Sequence, residues 1–312
     1  MLRKLSVIFL TVMMLFCAVS CSNSGEPADQ ASWYSFTDDT GEEVKLSVKP
    51  RKVAVLFSSF ADIWQCAGGK TDITVGETIE RGFADENALL VDSGAGKTIN
   101  TEILIEAQPD FVICSADIEG QASAAKLLIS SGIPTACFRV ESFEDYLRVL
   151  KICTDITENE QAYEENGLQV QERINAMLAQ ISGEPSRKTI LFIRASSGAS
   201  ATKAKTAEQS FVCAMLKELG TYNIAEKAPV LLDGLSLEEI LTADPDFIFI
   251  STMGKEDAAK EYMNSLLEEP TWQALTAVKN GDYVYLPKDL FQFKPNSRWD
   301  EAYAYLIDLI YE

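Results

Sequence analysis

Glu106-Ala107-Gln108-Pro109-Asp110-Phe111-Val112-Ile113 is answered further along the chain by Thr242-Ala243-Asp244-Pro245-Asp246-Phe247-Ile248-Phe249, an offset of 136 residues. The same offset relates Arg51-Lys52-Val53-Ala54-Val55-Leu56 to Arg187-Lys188-Thr189-Ile190-Leu191-Phe192. Two separated matches in one register mark a duplicated unit. Two long copies are not the array of short repeats that builds a solenoid.

Each copy alternates strands with helices. The first predicts strands at Val53–Phe57, Ile73–Val75, Phe111–Cys114 and Thr135–Arg139, with helices near Asp62–Cys66, from Asn100 to Ala107 and near Ala122–Ser130. The second predicts strands at Thr189–Arg194, Phe247–Ser251 and Tyr283–Leu286. Its helices begin near Gln209 and after Ser236, where Ser236 and Glu239 have capping-box spacing. Strands that are apolar throughout, separated by helices, belong in mostly parallel sheets covered on both faces. Each copy is therefore expected to be an α/β lobe.

Between the copies, Ser142 opens a helix carrying Phe143, Leu147 and Leu150 on one stripe. From Asn159 to Ile181 there is no proline, and Tyr163, Val170, Ile174, Met177 and Ile181 recur at helical spacing. This predicts one helix of about 23 residues and roughly 35 Å, with Gly167 as a weak spot worth about 1 kcal/mol if exposed. Two lobes joined by one stiff helix should move little against each other.

Composition narrows the chemistry. The 312 residues carry 27 basic and 47 acidic side chains, a formal charge of −20. Such a chain repels phosphate backbones, so no nucleic-acid partner is expected. There is no histidine, which removes the Ser-His-Asp triad, the HExxH zinc site and imidazole acid–base catalysis. Gly94-Ala95-Gly96-Lys97-Thr98 lacks the earlier glycine of a P-loop, because Val91 stands there. Ala195-Ser196-Ser197-Gly198 has no nucleophile-elbow pattern.

Arg3 and Lys4 precede the apolar run from Leu5 to Ser20, the form of an export signal over residues 1–20. The run ends in Ala18-Val19-Ser20-Cys21, which resembles the bacterial lipobox. That resemblance implies lipidation at Cys21 and a polar tether over 21–34. Loss of Arg3 and Lys4 would leave 25 basic against 47 acidic residues, a charge of −22. Cys66, Cys114, Cys137, Cys153 and Cys213 are scattered, without metal or disulfide-framework spacing, and read as small buried hydrophobes.

With the opening Thr37–Leu46, the paired strands, the paired Pro-Asp-Phe segments and the ending Leu286–Leu306, the chain resembles the substrate-binding lipoproteins of ABC importers that carry ferric siderophores, haem and cobalamin. The resemblance implies two duplicated α/β lobes with mostly parallel sheets joined by a single long helix, the class III periplasmic-binding-protein arrangement. The implied limits are an N-terminal lobe at 35–141, connecting helices at 142–186 and a C-terminal lobe at 187–312. It implies no enzymatic step and no resident cofactor. The cargo would be an iron chelate, a ferric siderophore first, with haem or cobalamin as alternatives. The partners would be an ABC permease dimer with its ATPase, and the protein would be an extracytoplasmic monomer touching the membrane only through its lipid. The alternative is a metal-centre assembly or chelatase-type enzyme on the same scaffold, which would need cysteine or histidine ligands where the lobes meet.

Ligands of doubly wound sheets bind at the carboxyl ends of strands. Those ends give Ser58, Ser59, Phe60, Ser115, Asp117 and Arg139 in the first lobe. In the second they give Arg194, Ser251, Thr252, Met253 and Lys288, with Lys203 and Lys205 close behind Arg194. The bases point to an anionic ligand. Phe60, Trp64, Phe291 and Phe293 offer flat contacts, the alternative for Phe60 and Trp64 being the core. Glu102 and Glu238 share the duplication offset and sit in the first turn of matching helices. The family resemblance implies that each would grip one permease subunit; stabilising its own helix terminus is the alternative.

Overall fold

A computed structural model describes residues 32–92, 98–181 and 188–311. The export signal, the lipidation residue Cys21, the tether up to residue 31, and Arg187 lie outside the described residues.

Strands β1 (Tyr34–Thr37) and β2 (Glu43–Leu46) form an antiparallel hairpin. Asp38 closes its turn by accepting from Thr40 and Glu42, then takes the Cys137 amide with its other oxygen, which fastens the hairpin to the first lobe. That lobe holds a parallel sheet of β3 (Val53–Val55), β4 (Ile73–Thr74), β5 (Leu89–Leu90), β6 (Phe111–Ser115) and β7 (Thr135–Phe138), ordered β5-β4-β3-β6-β7. The second sheet contains β8 (Thr189–Ala195), β9 (Lys203–Ala204), β10 (Tyr222–Asn223), β11 (Phe247–Thr252) and β12 (Tyr283–Tyr285). Its order is β10-β8-β11-β12, all parallel, with β9 antiparallel on β8. The order β4-β3-β6-β7 thus recurs as β10-β8-β11-β12. Two α/β lobes of one topology are present.

The duplication is not in one constant register. Val53 pairs with Phe111, whereas Phe247 pairs with Ile190 and not with Thr189. Val53 and Val55 face the large core that the lobes share, as do Ile190 and Phe192, while Ala54 and Leu191 face separate cores. The first strands therefore correspond at an offset of 137, and the Pro-Asp-Phe segments at 136. The side-chain period of two makes the slip visible, because a one-residue error would turn each strand inside out. Arg-Lys identity set the wrong register; burial sets the right one.

The connecting region begins at helix Phe143–Thr157, where Ser142 accepts from the Asp145 amide and Asp145 reaches back in a full capping box. The following helical run, Glu160 to Ile181, contains a π-helical turn at Glu164–Leu168 instead of a uniform α-helix. Gly167 lies in that turn and is buried, so it is not an exposed weak spot. A Cβ there would come within 3.0 Å of Leu147 and 3.2 Å of Leu150. The Asn166 carbonyl in the same turn is taken by the Tyr146 hydroxyl at 2.7 Å. Bulges of this kind persist where a neighbour accommodates the displaced backbone.

One hydrophobic core runs through both lobes and these helices. It includes Val55 and Phe138 of the first sheet, Phe192 and Phe249 of the second, Leu150 and Ile174 of the connecting helices, and Trp299 and Leu306 of the last helix, Trp299–Tyr311. Arg173 pairs with Asp300 across the two helices. Asn296, held at a positive φ of 53°, donates to the Ser59 carbonyl and to Asp62 in the first lobe.

Candidate functional site

In each sheet the chain departs to opposite sides from the central pair, so the switch points lie at the carboxyl ends of β3/β6 and β8/β11. A pocket of about 230 Å³ opens where those ends face each other. The first lobe contributes Phe57 and Glu141. The second contributes Phe192 and Arg194 from β8, Lys205 beyond β9, Ser251 from β11, and Phe291, Gln292 and Lys294 from the segment after β12. Phe57 and Arg194 are equivalent positions once the one-residue slip is included. Lobe one thus offers a ring where lobe two offers a guanidinium.

The base cluster has a local structural origin. The β8–β9 hairpin sets Arg194 directly opposite Lys203, and the Lys205 amide then donates to the Phe192 carbonyl at 3.3 Å. Like charges facing across a ladder are destabilising. Burial, together with the charges of Arg194 and Lys203, holds the Lys205 ammonium below the usual lysine range. None of the three forms an ion pair with a described residue. In a protein of charge −20, the pocket thus holds Arg194 and Lys205 without ion-pair partners among the described residues, with Lys203 facing Arg194 on the ladder. Gln292 adds a buried side-chain carbonyl oxygen without a partner.

A second basic feature gathers around Phe293, which lies in sequence between the pocket residues Gln292 and Lys294. The Arg81 guanidinium stacks 3.8 Å from the Phe293 ring centroid, and the Lys288 ammonium stands 5.2 Å from that ring. Burial lowers the Arg81 pKa from its ordinary value, against the pull of Asp62, Glu77 and Asp289. The ring belongs to lobe two and the guanidinium to lobe one, so this cation–π contact bridges the cleft. Within the pocket lining, Lys294 donates to Glu141 at 2.8 Å and lies 4.8 Å from the Phe211 ring.

The anticipated residues divide accordingly. Arg194 and Lys205 come together in the pocket, Ser251 and Phe291 with them. Lys288 sits apart on the Phe293 ring. Ser58, Ser59 and Phe60 require correction: they are not a strand-end loop but the first turn of helix Ser58–Cys66, and all three are buried. Ser58 donates to Glu77 and both serines accept from Arg81, so they position a cleft cation instead of meeting a ligand. Phe60 packs edge-on against Phe57 and Phe138, and Trp64 is likewise core. Arg139 is exposed and paired with Asp117 at 2.6 Å, outside the pocket. Phe57, Arg81, Glu141 and Lys294 were missed. For Phe57 the correct repeat register was a usable signal; Arg81 and Glu141 reach the cleft through chain folding alone.

Glu102 and Glu238 are both exposed in the first turns of helices Thr101–Glu106 and Leu237–Ala243. Asn100 caps the first by accepting from the Ile103 amide. The capping box anticipated at Ser236 does not form, since its side chain makes no capping hydrogen bond. The five cysteines from Cys66 onward are free thiols, four of them buried. Among the described residues no group of three or more Cys, Asp or Glu side chains is placed to hold a metal ion.

The sequence profile described as "Periplasmic binding protein" matches residues 53–290. No curated protein matches the chain in sequence. Among solved structures, Staphylococcus aureus SirA complexed with staphyloferrin B aligns with a TM-score of 0.68 at 16% identity, covering 88% of this chain and 98% of that one. S. aureus IsdE complexed with heme gives 0.69 at 14% identity, with 84% and 99% covered. The periplasmic heme-binding protein RhuT from Roseiflexus sp. RS-1, in apo form, gives 0.68 at 17%, with 84% and 98% covered. At such identities the likeness establishes the fold and not the cargo.

Proposed function

The chain belongs to the periplasmic binding protein family, and from that premise we propose that it is a lipid-anchored receptor of an ABC importer that captures an anionic iron chelate outside the membrane. The observation that carries the ligand class is the pair of uncompensated bases Arg194 and Lys205 in the pocket wall, with Lys203 facing Arg194 beside it. A carboxylate-, catecholate- or hydroxamate-bearing chelate would place charged oxygens on these donors and its organic shell on Phe57, Phe192 and Phe291. A pocket of about 230 Å³ is smaller than the roughly 300–1,000 Å³ that encloses a drug-sized ligand. Part of the chelate would therefore lie in the open groove, which favours a compact ferric siderophore over haem or cobalamin. The core continuous through both lobes opposes a large hinge motion, so capture would need only a small closure. Lipidation at Cys21 would hold the receptor at the membrane, and Glu102 and Glu238 would dock it on the permease dimer that works with its ATPase. No step in this cycle needs catalysis or a resident cofactor.

Titration of the purified protein with ferric siderophores of the three donor types, with haem and with cobalamin, followed by quenching of tryptophan and tyrosine fluorescence, tests the ligand class. A ferric siderophore should bind, and Arg194→Ala or Lys205→Met should weaken it about 10–100-fold, the value of a charge-assisted hydrogen bond. Silence toward every chelate would overturn the proposal.

A further inference from the structure

Glu141 puts a carboxylate into a pocket otherwise built for anions, and it does so from the opposite lobe. It is the residue before the Ser142 cap, and its amide donates to Asp145 at 3.0 Å, so its backbone is fixed by the start of helix Phe143–Thr157. Its Oε1 accepts from Lys294 Nζ at 2.8 Å. This ion pair joins residues before 142 to residues after 187. The two partners differ in exposure: the Lys294 side chain is 16% exposed and that of Glu141 is 47%. The ammonium is confined over the Phe211 ring, whereas the carboxylate can swing into water at little desolvation cost. A half-exposed pair of this kind is weak and can be displaced.

The geometry points to a role for Glu141 as a built-in competitor that occupies Lys294 until an anionic group of the ligand takes its place. The inference rests on the reading of the cleft as an anion site, and it adds a threshold to that site. Arg194 and Lys205 are uncompensated and available to any anion. Lys294 becomes available only when Glu141 is displaced, so a ligand carrying a further anionic group is selected over one that satisfies only the first two bases. A competitor of this type scales apparent affinity by the fraction of time it leaves the site open. A weak pair of this kind, closed about three-quarters of the time, costs about fourfold.

The test uses ferric citrate, a compact polycarboxylate chelate, with the full-length protein purified in detergent. Glu141→Gln should bind it about fourfold more tightly than the unmodified chain. Lys294→Met should weaken binding, and Glu141→Gln in the Lys294→Met background should gain nothing, because no base remains to be released. Thermal denaturation of each variant separates this effect from loss of fold. Unchanged or weaker binding in Glu141→Gln would overturn the inference, as would a gain that survives loss of Lys294. Absence of ferric citrate binding in every form would overturn it too. The broader reading of the cleft fails separately, if Arg194→Ala and Lys205→Met leave the affinity for a bound ferric siderophore unchanged.

Discussion

Asp62 shows how much a single residue is decided by what folds over it. In sequence it is one carboxylate in an amphipathic helix. In the structure it accepts from Asn296 of the other lobe at 2.8 Å and lies beside the Cys66 thiol at 3.6 Å. Burial raises its pKa, with the Asn296 hydrogen bond and the Arg81 charge opposing, and burial followed by Asp62 pushes the Cys66 thiol up to about 12. A carboxyl whose folded pKa is raised favours the native state when protonated, and that contribution is lost as pH rises through the folded value. Asp62→Asn should therefore have the higher melting temperature near pH 7. The advantage should shrink as pH falls toward the ordinary aspartate value of roughly 3.9. Paired thermal melts across that range check it; a less stable Asp62→Asn at pH 7 would mean that Arg81 needs the charge more than the fold resents it. The pocket residues follow the same logic. Arg194 and Lys205 were legible because they end or follow a readable strand. Glu141 and Lys294 were not, because neither has a local pattern and their meeting depends on how the lobes face.

Among the elements, the connecting helix was legible in extent and wrong in detail. Its apolar spacing and lack of proline foretold a helical run to Ile181, as observed. Periodicity does not report the π turn at Glu164–Leu168, which follows from the closeness of helix Phe143–Thr157. Gly167→Ala would gain about 1 kcal/mol of helix propensity. It would also press a methyl group to within 3.0 Å of Leu147, and overpacking of this kind costs about 1–3 kcal/mol. The expected outcome is a net loss of about 1 kcal/mol in denaturant unfolding; a gain would show that the leucine tips yield freely. Strand β8 teaches a related lesson. A residue-by-residue match set its register by Arg-Lys identity, but pairing and burial moved it by one. That single step makes Phe57, and not Ser58, the first-lobe counterpart of Arg194 at the pocket.

At the scale of the whole molecule, the two lobes present Glu102 and Glu238 on equivalent helices, each beside exposed apolar side chains, Ile103 and Ile105 in one case and Leu241 in the other. Docking on a symmetric permease needs such matched surfaces. Exchange of both glutamates for lysine should leave chelate affinity unchanged and abolish uptake in cells, measured with the radiolabelled chelate. Normal uptake would remove the docking role. The sequence by itself determined the duplicated α/β architecture and the helical link, because hydrophobic periodicity and internal repetition are local properties of a chain. The tertiary structure alone decided which bases stay unpaired, which serines disappear under Arg81, and that Glu141 reaches Lys294. Those outcomes depend on burial and on distances between residues far apart in the chain, and no spacing along one strand or helix encodes them.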